Sequence, residues 1–201
     1  MVCFKLIELL LSKQERLKTM IADIQEVLVN EKELADICER LANQINEDYK
    51  SSDRKLVLIC ILKGSLMFTT ELMKRIPLPL EVDFMKVSSY GSKSMSSGYI
   101  NIHLDIKRDD MQEVDFLIIE DIVDSGNTLS HLVRYLKERG AGSVRTCTLL
   151  DKPDRRAVEF EPDYCGRVIP DAFVVGFGLD YDEKYRNLPY VGILKPEVYA
   201  E

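Results

Sequence analysis

The chain has 201 residues and a formal net charge of −7, with 46% hydrophobic residues. That length suits one domain with a real core, and the acidic balance argues against a general nucleic-acid binder. The five cysteines (Cys3, Cys38, Cys60, Cys147, Cys165) are odd in number and form no Cys-x-x-Cys, which argues against a disulfide framework or zinc site and fits a reducing cytoplasm.

Residues 1–19 read as an N-terminal extension. Phe4 to Leu11 is apolar, but Lys5 and Glu8 interrupt it. It is too short to span a bilayer and lacks the basic start and cleavage site of a signal peptide. Met20 offers a second plausible beginning, so the folded domain is expected over 20–201. Asn30, with Glu33 three residues on, can cap a helix whose apolar stripe is Leu34, Ile37, Cys38, Leu41 and Ile45. Ser51 to Lys55 is a polar loop. Leu56 to Leu62 is a continuous apolar run, which predicts a strand buried on both faces. It breaks at Lys63-Gly64-Ser65 into a helix carrying Leu66, Phe68, Leu72 and Met73, closed by Pro77 and Pro79. Strands are predicted over Leu80 to Val87 and Tyr99 to Ile106, with a Ser/Gly-rich loop over 88–98 between them.

The central stretch runs from Val114 to Leu129. Phe116 to Ile119 predicts another buried strand, ended by Glu120 and Asp121. Asp124-Ser125-Gly126-Asn127-Thr128 is a polar loop, and Leu129, Leu132, Val133 and Leu136 follow at helical spacing up to Gly140. Backbone amides at a helix start, together with the Ser125 and Thr128 hydroxyls, suit an anion, and Gly126 lets the backbone approach it closely. Carboxylates beside such a cradle make sense if they bind sugar hydroxyls or a chelated cation. Val144 to Leu150 predicts a further strand, 151–166 is mainly irregular, and Phe173 to Leu179 predicts the last strand. Strands alternating with helices give a doubly wound, mainly parallel α/β sheet whose ligand end is the carboxyl end of the strands.

The string from Val114 to Leu129 closely resembles the signature of the type I phosphoribosyltransferases, which bind 5-phosphoribosyl-1-pyrophosphate (PRPP). Three further stretches are similar to the hypoxanthine-guanine members of that family: Leu62-Lys63-Gly64-Ser65, Ser89-Tyr90 in the serine loop, and Leu150-Asp151-Lys152-Pro153 with Ile169 to Tyr181. The resemblance runs from about Ile24 to Leu194 and implies purine salvage: transfer of 5-phosphoribosyl from PRPP to hypoxanthine or guanine, giving IMP or GMP plus pyrophosphate.

Residue by residue, the resemblance implies that Asp124 is the general base/acid at purine N7. Glu120 and Asp121 bind ribose hydroxyls and tune a Mg²⁺ site, with Asp180 near a second Mg²⁺. Ser125, Gly126, Asn127 and Thr128 cradle the 5′-phosphate; Asn127 stands where other members often carry a basic residue, at little cost because backbone amides do most of the gripping. Lys63 and Gly64 hold pyrophosphate after a Leu62–Lys63 peptide that is often cis, and Arg186 lies near it. Ser89 and Tyr90 belong to a lid that keeps water from an oxocarbenium-like state. Lys152 donates to the 6-oxo group and so rejects adenine, Phe173 stacks on the purine, and the Val174 backbone reads the ring edge. A small hood formed by the N- and C-terminal segments covers the base site. Neither His103 nor His131 falls on a motif, so no catalytic histidine is expected. The implied partners are PRPP and 6-oxopurine bases, with no nucleic acid and no membrane; the implied assembly is a homodimer or homotetramer, and the implied location is cytoplasmic. The rival readings are a PRPP-responsive nucleic-acid-binding regulator on the same fold, and a phosphoribosyltransferase for xanthine or a pyrimidine.

Overall fold

A computed structural model describes residues 18, 20–89 and 100–200. The chain divides into two compact units. One comprises residues 32–172; the other joins the residues up to Glu31 to those from Phe173 onward.

The larger unit is built on a six-stranded sheet. Its strands are β2 (Lys55–Leu62), β3 (Leu80–Ser89), β4 (Ile100–Leu104), β5 (Val114–Val123), β6 (Ser143–Asp151) and β7 (Tyr164–Val168), in the order β4-β3-β2-β5-β6-β7. All neighbours run parallel except β4, which pairs antiparallel with β3 at one edge. Leu56 to Ile61 and Val114 to Ile119 are buried without interruption, as expected of parallel strands covered on both faces. On one face Val57, Ile59, Ile61, Phe116 and Ile118 pack with Leu129, Leu132 and Leu136 of helix α3 (Asn127–Glu138). Helix α2 (Leu66–Met73) packs against β2 and β5 through a stripe that buries Phe68 and Leu72. Helix α1 (Glu31–Tyr49) buries Leu34, Ile37, Cys38, Leu41 and Ile45. Its Arg40 donates to the carbonyls of Cys165 and Gly166 in β7, and its Glu33 pairs with Arg167 at 3.0 Å. Cys60 and Cys147 are fully buried core thiols.

The smaller unit holds a three-stranded antiparallel sheet, order β1-β9-β8, made of β1 (Ile24–Val29), β8 (Val174–Val175) and β9 (Val191–Leu194). A short helix, α4 (Pro196–Tyr199), follows.

Four sequence expectations change. The central strand extends past Ile119, so Glu120 and Asp121 lie within it and not beyond its end. The supposedly irregular 151–166 contains the start of β7, whose half-buried residues carry no apolar run. The last predicted strand shrinks to Val174–Val175, because Gly176 (φ 97°), Phe177 (φ 50°) and Gly178 (φ 103°) take left-handed backbone that a strand cannot hold. β1 and β9 were not expected. Among the described residues, no helix is long and apolar enough to cross a membrane.

Asp115 fastens the amino ends of the central strands. It lies at the start of β5, almost fully buried, and accepts from Ser52 Oγ at 2.5 Å, Ser143 Oγ at 2.6 Å and Arg54 Nη1 at 3.2 Å. Burial pushes its carboxyl up, but these three donors more than offset that and hold it below the usual carboxylate range. Its stabilisation is therefore present above the ordinary carboxylate pKa and is lost as pH falls through the lower folded value. We expect Asp115→Asn to cost on the order of 2–3 kcal/mol in urea unfolding at pH 7, with the gap to wild type closing as the medium is acidified; a gap that widens in acid would contradict this role.

Candidate active site

The sheet order places β3 on one side of β2 and β6 and β7 on the far side of β5. The connections therefore depart in opposite directions from the β2–β5 pair, leaving a crevice at the carboxyl ends of these two strands. The two loops that border it are the ones singled out from sequence. After β2 the chain turns through Lys63-Gly64-Ser65 into α2, and the Leu62–Lys63 peptide is cis. Ser65 is buried and its hydroxyl donates to the Ile61 carbonyl at 2.7 Å. Gly64 lies directly against the other loop's strand: a Cβ built on it would stand 1.6 Å from Asp121 Oδ2. The loop after β2 is thus packed directly on the end of β5.

After β5, Asp124 to Gly126 turn the chain into α3. Gly126, with φ 80°, is the residue before the first helical turn. Ser125 Oγ accepts from the Asn127 amide at 3.4 Å and from Asn127 Nδ2 at 3.3 Å. The first amides of any helix lack an intrahelical acceptor, so this turn presents donors to an anion. Thr128, in that turn, adds a half-buried residue with a hydroxyl.

Asp121 is buried, and its Oδ1 accepts from the Ile122 amide at 2.8 Å. Glu120 Oε2 is out of solvent with no hydrogen-bond partner. Burial first, then the neighbouring Asp121 carboxylate, raises the Glu120 carboxyl well above the usual carboxylate range. A cation would relieve both penalties. No cluster of three or more His, Cys, Asp or Glu able to hold a metal exists among the described residues. Two carboxylates fit Mg²⁺, which keeps water and substrate oxygens for the rest of its shell, and do not fit a metal needing an all-protein cage.

Lys152 lies just past β6, and its side chain is only 10% exposed. Its amide donates to the Val123 carbonyl at 2.9 Å, which ties it to the end of β5. Its Nζ donates to the Ala172 carbonyl at 2.6 Å and stands 3.9 Å from Asp171. Burial lowers its proton affinity, while Asp124 and Asp171 pull the other way. Asp124 itself pairs with Arg155, Nε to Oδ1, at 2.8 Å.

Arg155 and Arg156 are the residues that sequence reasoning missed. Arg155 bridges Asp124 to Asp171, with 3.3 Å to Asp171 Oδ2. Arg156 is mostly buried and donates to the Asp124 carbonyl at 2.7 Å, to the Phe160 carbonyl at 2.9 Å and to the Asp151 carboxylate. Consecutive arginines thus hold the side chain and the main chain of Asp124. A Cβ at Gly126 would lie 2.9 Å from Arg156 Cδ and 3.2 Å from Phe160 Cβ, so this segment also backs the Gly126 turn. The only signal in the sequence is an Arg-Arg pair three residues beyond Lys152.

Four of the remaining named residues, Phe173, Val174, Asp180 and Arg186, belong to the smaller unit. Phe173 is 37% exposed, and its carbonyl accepts from the Leu194 amide at 2.8 Å. Val174 is buried in β8, an edge strand whose backbone has one side without a strand partner among the described residues. Arg186 folds back into its own turn, donating to the Gly178 carbonyl at 2.8 Å and pairing with Asp180 at 2.9 Å; its Nε is buried without a partner. Asp180 also accepts from the Glu183 amide at 2.9 Å. His103 Nε2 shares a 2.8 Å hydrogen bond with Ser88 Oγ on the β3–β4 edge, and His131 stands on α3 beside Arg134. Of the expected lid pair, Ser89 ends β3 and Tyr90 lies outside the described residues, as do most of residues 1–19.

Comparison with known proteins bears on this geometry. The phosphoribosyl transferase domain profile matches residues 25–182. A bifunctional protein TilS/HprT of Listeria monocytogenes is 50% identical over 184 residues; the match takes in 92% of this chain, which spans only 28% of that protein's length. A hypoxanthine-guanine phosphoribosyltransferase of Staphylococcus aureus is 48% identical over 178 residues, covering 89% of this chain and 98% of that protein. The crystal structure of a hypoxanthine phosphoribosyltransferase from Staphylococcus aureus superposes with a TM-score of 0.85 at 47% identity, over 91% of this chain and 98% of that one.

The contact between Gly64 and Asp121 leaves no room for a methyl group. We expect Gly64→Ala to displace the 63–65 loop from β5 and to cost about 1–3 kcal/mol in thermal or urea unfolding; wild-type stability in this variant would show that the loop does not pack on Asp121 as described.

Proposed function

The chain belongs to the phosphoribosyltransferase family, and from that premise we propose that it transfers the 5-phosphoribosyl group of PRPP to hypoxanthine or guanine, giving IMP or GMP and pyrophosphate in purine salvage. The observation that carries this reading is the close approach of the Lys63–Gly64 loop to Asp121 at the crevice between β2 and β5, beside an anion-binding helix start.

In this proposal the α3 amides, with Ser125, Gly126, Asn127 and Thr128, grip the 5′-phosphate. Lys63 and the Gly64 amide, with Arg186, grip the pyrophosphate. Glu120 and Asp121 accept from the ribose hydroxyls, which fixes the anomeric carbon relative to the base. Mg²⁺ held by Glu120 and Asp121, with Asp180 near a second ion, would supply charge neutralisation for the pyrophosphate. As purine N9 bonds to C1, the C1–oxygen bond to pyrophosphate breaks and the base becomes more acidic, so Asp124 can take the N7 proton. Ser89 and Tyr90 belong to a lid that excludes water from the oxocarbenium-like state. Phe173 stacks on the purine, and the Val174 backbone reads its edge. Lys152 donates to the 6-oxo group; adenine would set two donors against each other.

The direct test is a spectrophotometric screen of hypoxanthine, guanine, xanthine, adenine and uracil with purified protein, PRPP and Mg²⁺. Nucleotide from hypoxanthine or guanine is expected, and its absence overturns the reading. Asp124→Asn should lower kcat by about 10²–10³ while PRPP affinity, measured by calorimetry, stays near wild type; equal losses would contradict its role as base. Lys152→Ala should shrink the preference for hypoxanthine over adenine by about ten- to a hundredfold; undiminished discrimination would refute its role.

A further inference from the structure

The smaller unit carries an aromatic arrangement that none of these roles uses. Tyr199, at the end of α4, stacks on Phe173 with ring centroids 4.8 Å apart and planes 22° from parallel. Tyr181 meets Phe173 edge-on, at 5.5 Å and 88°. One face of Phe173 is thus covered by Tyr199, and Tyr181, whose ring centroid is also only 6.5 Å from that of Tyr199, does not lie directly over the opposite face. The residue remains 37% exposed.

We propose that Tyr199 is a positioning residue of the base site: it backs Phe173 on one face and presents the opposite face to the incoming purine. The proposal rests on the reading of Phe173 as the purine-stacking residue. A phenylalanine with both faces open rotates about χ1 and must be ordered when a ligand arrives. One enclosed by a stacked ring and an edge-on ring is ordered beforehand, and the base meets a fixed plane.

The backing ring is itself firmly held. The Lys195 amide donates to the Asp23 carbonyl at 2.9 Å and its Nζ to the Ala22 carbonyl at 2.6 Å, fastening the start of α4 beside β1. Pro196 opens the turn, and the Ala200 amide closes it on the Pro196 carbonyl at 2.8 Å. Val198 and Tyr199 pack against the cluster of Val175, Tyr185, Leu188 and Leu194. The Leu194 amide bonds the Phe173 carbonyl itself, so Phe173 and the chain leading to Tyr199 share one strand pair.

The test is steady-state kinetics on the full chain with hypoxanthine and PRPP varied separately. Tyr199→Ala and Tyr199→Leu should each raise KM for hypoxanthine about three- to tenfold, with kcat and KM for PRPP unchanged. Tyr199→Leu fills the space without a stacking ring, so its agreement with Tyr199→Ala separates loss of the stack from loss of folding. Tyr199→Phe keeps the ring and should restore the wild-type value. A lower KM in Tyr199→Ala would mean that the tyrosine occupies the purine's own place, and overturns the proposal. An unchanged KM in Tyr199→Ala, with a raised KM in Phe173→Ala, overturns it too while leaving Phe173 in its role. An unchanged KM in Phe173→Ala would overturn the assignment of Phe173 and the proposal with it.

Discussion

The contact on which the site depends is the one between Gly64 and Asp121. Two parallel strands, β2 and β5, run side by side and then feed loops that leave in opposite directions. Nothing in the sheet forces the loop after β2 to stay against β5 once the ladder ends. It does so because residue 64 has no side chain and Asp121, still within β5, fills the space one would take. In the proposed reading, a pyrophosphate grip on that loop and the carboxylate pair on β5 address a single small molecule carrying both a pyrophosphate and sugar hydroxyls. The cost is electrostatic: two adjacent carboxylates are crowded together, with one oxygen of Glu120 buried and unpartnered. Such a penalty is tolerated where a cation and hydroxyl donors arrive with the substrate.

A second level of organisation links the ends of β5 and β6. Arg156 donates to three acceptors drawn from three segments: the Asp124 carbonyl, the Asp151 carboxylate and the Phe160 carbonyl. Lys152 is fixed through its amide to Val123. The proposed proton acceptor and the proposed base selector are therefore braced by one guanidinium and one backbone bond, while Arg155 connects the Asp124 and Asp171 side chains at the surface. Arginine suits this task because its planar fork serves several acceptors at once, which a lysine ammonium does less rigidly.

What was legible in the sequence follows the physics of burial. β2 and β5 are covered on both faces, so Leu56 to Leu62 and Phe116 to Ile119 form unbroken apolar runs, and the Gly126 turn announces itself by composition. β1 has a largely exposed burial pattern and pairs with β9 across more than a hundred intervening residues, so local sequence carries little trace of it. Asp115 reads as the polar start of a strand and is in fact the buried acceptor joining three of them. Arg155 and Arg156 read as surface charge, since what makes them structural is the identity of partners brought from elsewhere. The residues proposed to bind phosphate and to select the base could be named because their motifs are contiguous; the residues that hold them in place are scattered and became visible only in three dimensions.

The hydrogen bond from Lys152 to the Ala172 carbonyl has a thermodynamic corollary. Before any base arrives, this ammonium already has an acceptor at 2.6 Å. An oxopurine reaching it offers one carbonyl in place of, or beside, another, and the exchange releases little net free energy. As a selector, the lysine would then act as a gatekeeper and not as an anchor: it would add little to the grip on a matching ring, and would weigh heavily only against a ring that takes the place of the carbonyl and returns no acceptor.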